Sequence, residues 1–194
     1  MTKLFRSSLV IVFLTAFSLF GFAPVAQAHS SNHGVSPNRT PSENATYQAS
    51  KKLVAQGCKE QSVTLHGNTK NVPPSIVCAD AKSTSGIQPN LSVAQNCAQS
   101  ALILYKDEFG GGTLCFSGTG ATDLTSYCLP IEDGGCLYNW NDEVTSFSTT
   151  SYTNPGSIYR DIGEAGFMTS FTSSTGAVDW AGTSNNDQAS SVRI

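Results

Sequence analysis

The chain has 194 residues, of which 13% are charged and 9% aromatic, and it carries a formal net charge of −3. Residues 101–194 hold three Lys/Arg against eleven Asp/Glu, whereas residues 29–100 hold six against three. An acidic second half excludes a nucleic-acid surface, which needs clustered Lys and Arg, and is compatible with a cation as ligand.

The start reads as an export signal. Lys3 and Arg6 precede the apolar run "LVIVFLTAFSLFGFA", and Ala26–Ala28 ("AQA") supply the small residues of a cleavage site, so residues 1–28 are expected to be removed. No second apolar run has spanning length, so the expectation is a secreted, extracellular chain with no membrane attachment after cleavage. Export gives the six cysteines meaning, because they stand in an oxidising setting and none forms the C-x-x-C pairs of a zinc site. Disulfides follow. Sequence alone leaves the pairing open, and the reading adopted joins Cys58 to Cys78, Cys97 to Cys115 and Cys128 to Cys136.

Residues 29–49 are Ser/Asn/Pro-rich without periodicity and are expected to form a disordered leader. Residues 50–100 are expected to form a small Cys-containing β region, with "SVTLHG" and "PSIVCA" as a disulfide-pinned hairpin and "KSTSGIQPNLS" as a linker. From Ala101 onward the runs "ALILY", "GTLCFSG", "VTSFST", "SIYRD", "FMTSFT" and "SSVRI" are separated by Gly, Asn, Asp and Ser. Short strands at that pitch predict an all-β antiparallel sandwich over 101–194.

That region is two similar units, about 101–150 and 156–194. Each opens with a strand ending in Tyr and an acidic turn ("YKDEFGG", "YRDIGEAG"). Each then carries a "DL" or "DW" segment and closes on Asx-Asx-x-x-hydroxyl-Ser: "NDEVTS" and "NDQASS". Asn and Asp normally break strands because their side chains compete for backbone hydrogen bonds. A polar turn accounts for one such run; two at matching places call for more.

These residues resemble the βγ-crystallin family, in its microbial, secreted form with two Greek-key motifs. In that family each motif opens with an aromatic, a second aromatic in the turn and a glycine after it, and closes on the Asx-Asx-x-x-Ser/Thr-Ser signature. Tyr105, Phe109 and Gly111 fit the first opening with one turn residue deleted, and Ser146 closes it. Tyr159, Gly166 and Ser191 fit the second, with Glu164 at the aromatic position. The first unit also carries the insertion "CLPIEDGGC", a loop that Cys128 and Cys136 would pin.

The resemblance implies a βγ-crystallin-like Greek-key sandwich with a calcium centre of two ions. Calcium takes six to eight oxygen ligands, more than one turn supplies. Asn141, Asp142 and Thr145 from one turn and Asn186, Asp187 and Ser190 from the other would share them, with backbone carbonyls near Asp107 and Asp161. Ser146 and Ser191 would be structural, bonded to their own opening hairpins. The family includes members that have lost the ion, so an empty structural turn is the competing expectation.

Other chemistry is thinly represented. His29, His33 and His66 make no constellation for copper, no G-x-S-x-G nucleophile elbow occurs, and "FGGGT" lacks the Lys of a phosphate loop. Glu132 and Asp133 read as a solvated loop tip, and Trp140 and Trp180, each just before a signature, as matched core residues. The functional expectation is a non-enzymatic secreted calcium-binding protein with a structural or stress-related role. The alternative is a secreted peptidase-inhibitor-like module that binds an extracellular protease through the Cys128–Cys136 loop.

Overall fold

In a computed structural model the described residues are 39–67, 72–79, 97, 102–131, 135–136, 138–151 and 153–194. The expected signal segment, leader residues 29–38, the linker 82–92 and the Glu132–Asp133 tip lie outside them. The described residues form twelve strands and one α-helix: α1 (Pro41–Ala55), β1 (Glu60–His66), β2 (Ser75–Cys78), β3 (Leu102–Asp107), β4 (Gly110–Thr119), β5 (Ala121–Asp123), β6 (Cys128–Leu129), β7 (Tyr138–Asn139), β8 (Ser146–Thr149), β9 (Gly156–Tyr159), β10 (Phe167–Phe171), β11 (Ala177–Asp179) and β12 (Ser191–Arg193). All six strands expected after Ala101 form.

The strands make a six-stranded sheet ordered β11-β8-β3-β4-β1-β2, a four-stranded sheet ordered β10-β9-β12-β5, and the small β6-β7 ladder. Each large sheet centres on one unit: β3, β4 and β8 from the first, β9, β10 and β12 from the second. One further strand of each unit crosses over. β5 pairs with β12 of the second unit, and β11 pairs with β8 of the first. Alternation along the strands places Leu102, Leu104, Leu114, Phe116 and Phe147 of one sheet in a single core with Ile158, Phe171 and Val192 of the other. Phe147 is central to it, its ring centroid 5.1 Å from Trp180 and 6.3 Å from Phe171. Burying one such aromatic side chain contributes roughly 1.5–3 kcal/mol.

Strands β1 and β2 do form the pinned hairpin, antiparallel and with Cys58 bonded to Cys78. They are not a separate region, however. β1 runs parallel to β4 from Glu60 opposite Thr113 to His66 opposite Thr119, extending the first sheet. Cys97–Cys115 and Cys128–Cys136 complete the disulfides, all three with Cα atoms 5.5–5.6 Å apart, as expected.

The disordered-leader expectation fails from residue 41 onward, where α1 begins. Thr40 caps the helix and Pro41 opens it. The Thr40 hydroxyl accepts from Glu43 N–H (3.3 Å) while Glu43 Oε2 accepts from Thr40 N–H (2.6 Å), a capping box. The buried face of α1 is Thr46, Tyr47, Ser50 and Val54, too polar to register as an apolar stripe. It docks through hydrogen bonds instead. Ser50 Oγ donates to Gln61 Oε1, Cys128 N–H donates to Ser50 Oγ (2.7 Å), and Gln61 Nε2 donates to Cys128 O (2.6 Å). Tyr47 packs against the Cys128–Cys136 bridge, and the Arg39 guanidinium lies 3.7 Å over its ring.

A second correction concerns the tryptophans. Both are core residues, but they are not counterparts. Trp180 N–H donates to Thr145 O (2.9 Å), and the matching bond in the other unit is Leu124 N–H to Ser190 O (2.8 Å). Trp140 follows the insertion, and its backbone N–H donates to Tyr127 O (3.1 Å) beside the β6–β7 ladder.

Candidate metal centre

The two opening hairpins are built alike. Tyr105 lies opposite Ser146 and Tyr159 opposite Ser191 in their respective sheets. Phe109 and Glu164 both take left-handed backbone (φ 53° and 63°), as do Gly111 and Gly166 (φ 72° and 64°). Glycine is required at both latter places, since a Cβ on Gly111 would strike the Asp107 carboxylate and one on Gly166 would sit 2.6 Å from Asp161 Oδ2. Glu164 thus occupies the conformation that Phe109 holds in the first unit, while Tyr159 finds its aromatic neighbour in Phe167, 6.2 Å away.

The signature serines clasp these turns. Ser146 Oγ accepts from Phe109 N–H (2.9 Å) and donates to Asp107 O (3.0 Å). Ser191 Oγ accepts from Glu164 N–H (3.1 Å) and donates to Asp161 O (2.7 Å). Both serines are fully buried, and each hydroxyl satisfies two backbone groups of its own opening turn.

The six expected ligand residues come together across the units. Asp142 N–H donates to Ala189 O (2.9 Å) and Asp187 N–H to Val144 O (3.1 Å), which lays the two turns side by side. Thr145 Oγ1 then donates to Asp187 Oδ1 (3.3 Å), and Ser190 Oγ donates to Asp142 Oδ1 (3.1 Å). Each unit's hydroxyl therefore meets the other unit's carboxylate. Within each turn the Asx pair is joined, Asn141 Nδ2 donating to Asp142 Oδ2 (2.6 Å) and Asn186 Nδ2 to Asp187 Oδ2 (2.8 Å). Asp142 and Asp187 both have left-handed backbone (φ 57° and 52°), a conformation Asp tolerates better than most residues.

Oxygen is the only donor these side chains turn toward one another across the units, which is the donor set of a hard cation. Asn186 Oδ1 is buried and has no hydrogen-bond partner, an acceptor held ready for a donor or cation. Among the described residues no three His, Cys, Asp or Glu side chains converge on a point. Two carboxylates must then be supplemented by amide, hydroxyl and backbone oxygens. The Asp107 and Asp161 carbonyls are engaged by Ser146 and Ser191.

Two contributors escaped the sequence reading. Asn139 and Thr183 cap the turns, Asn139 Oδ1 accepting from Asn141 N–H (3.0 Å) and Thr183 Oγ1 from Asn185 N–H (3.2 Å). They stand just ahead of each signature, and an Asx or Thr two positions before a turn amide is the signal that marks them. No known protein family, characterised protein or solved structure matches the chain.

Proposed function

We propose that this chain is a secreted, non-enzymatic βγ-crystallin-like protein whose paired Asx turns bind calcium, two ions shared between two Greek keys, for a structural or stress-related role. The observation that carries the reading is the reciprocal contact of Thr145 with Asp187 and Ser190 with Asp142. A turn that served its own strand alone has no reason to present its hydroxyl to the partner turn's carboxylate. Export is supported by three disulfides.

On this reading Asp142 and Asp187 supply charge, Thr145 and Ser190 supply neutral oxygens from the opposite unit, and Asn141 and Asn186 orient the carboxylates. The bound ion contributes positive charge in an acidic half of the chain and ties the two turns together. Calorimetric titration with calcium after chelator treatment tests it. Saturable binding of two ions per chain is expected. No heat of binding up to millimolar calcium removes the metal reading and leaves two hydrogen-bonded turns.

A further inference from the structure

A cleft of about 560 Å³ opens between the first turn of α1 and β5. Its walls include Glu43, Asp123 and Glu164, with Leu65, Val72 and Pro74 as an apolar flank. Ser126 also lines it; this residue is 1% exposed and its Oγ has no hydrogen-bond partner. We propose that the cleft binds an organic cation, an ammonium or guanidinium on an aliphatic stem, held by Glu43, Asp123 and the Ser126 hydroxyl.

The charge balance points that way. Three carboxylates face one guanidinium, Arg193, which Glu164 takes through both of its oxygens. Asp123 Oδ1 accepts from Gly163 N–H (2.7 Å), which covers one of its oxygens. Burial pushes the Asp123 carboxyl above the usual range in spite of that bond, and the nearby Glu43 and Glu164 carboxylates push it further. His66, on the adjoining wall, has its Nε2 2.8 Å from Ser75 Oγ. A cation placed against the adjoining Glu43 and Asp123 carboxyls relieves their repulsion and gives the orphaned Ser126 oxygen a donor. An ammonium on a stem suits the place better than a bare metal ion, because Leu65, Val72 and Pro74 line it beside the carboxylates. The apolar flank fits the methylenes behind a charged head.

The same head group arrives on a free amine or on a Lys or Arg side chain of a peptide. NMR titration of the ¹⁵N-labelled, disulfide-bonded full chain with n-butylammonium, with butanol as neutral control at constant ionic strength, detects it. Saturable shifts at the Asp123, Ser126 and Gly163 amides are expected with the amine and not with the alcohol. Asp123→Asn keeps an acceptor for Gly163 N–H and is expected to weaken binding by about tenfold or more, the worth of one charge-assisted hydrogen bond. Glu43→Gln keeps the capping acceptor and serves as a second variant with the same expected direction. A Gly-Lys-Gly peptide binding tighter than butylammonium assigns the site to a protein side chain, and equal or weaker binding assigns it to a free amine. Absence of saturable shifts, equal response to butanol, or unchanged affinity in both variants overturns the proposal.

Discussion

At the scale of single residues, the two hydroxyls at the fifth signature position do more than their size suggests. Thr145 and Ser190 are the groups that reach across to the partner turn's carboxylate. Replacing Thr145 with Arg removes an oxygen and puts a cation beside Asp187. The expected outcome is loss of most of the calcium-dependent rise in melting temperature with the apo protein still folded, read by calorimetry with and without chelator. Ser190→Arg is expected to act in the same direction, and because ligands are shared, each change should disturb both sites. Asp123 carries a separate pH signature. Its carboxyl is raised by burial first, with Glu43 and Glu164 adding to the effect. A raised carboxyl favours the folded state while protonated, so that contribution is present below the ordinary value of 3.8 and is lost as pH rises through the folded value. Asp123→Asn is therefore expected to raise the urea midpoint at neutral pH and to lose that advantage in acid.

At the scale of elements, the hairpins depend on their clasping serines. Ser146→Ala leaves Phe109 N–H and Asp107 O without their buried partner, and Ser191→Ala does the same to Glu164 N–H and Asp161 O. Each is expected to cost about 1–3 kcal/mol in denaturant unfolding. The helix follows the same logic, since Ser50→Ala orphans the Cys128 N–H and one contact of Gln61, with a loss in the same range. These elements differ in how legible they were. Strands β3, β4, β8, β9, β10 and β12 stand out in the sequence because alternation and turn residues coincide there. Helix α1 was missed because its docking face is Thr46, Tyr47, Ser50 and Val54, whose partners Gln61 and Cys128 lie far along the chain. Its start was nonetheless written in "TPSE", a capping box with Pro at the first helical position. The β6–β7 ladder was missed for a different reason. Two-residue strands carry no period, and their pairing follows from the Cys128–Cys136 bridge.

At the scale of the whole molecule, the internal repeat foretold paired turns but not the exchange of strands. Nothing in "ATDL" or "AVDW" says which sheet β5 and β11 will join, because three-residue strands pair wherever the neighbouring core leaves an edge open. The exchange has an energetic consequence. Four backbone bonds cross between the units at the turns: Asp142 N–H to Ala189 O, Asp187 N–H to Val144 O, Leu124 N–H to Ser190 O and Trp180 N–H to Thr145 O. Each of those amides belongs to a residue proposed to hold calcium or donates to the carbonyl of one that does. An ion bound only to the closed pair stabilises it by RT ln(1 + [L]/Kd), about 4 kcal/mol when the free ion exceeds the dissociation constant about 1,000-fold. Local opening of the turns separates the shared ligands, so these amides gain protection from that binding energy even where exchange does not require global unfolding. Amides at the far β1–β2 edge, whose pairing involves neither turn, gain it only through global unfolding. Hydrogen exchange in calcium and in chelator is thus expected to slow most at Asp142, Asp187, Leu124 and Trp180. Equal slowing at those four amides and at β2 would mean that the ion acts on the fold as a whole and does not lock the two units together.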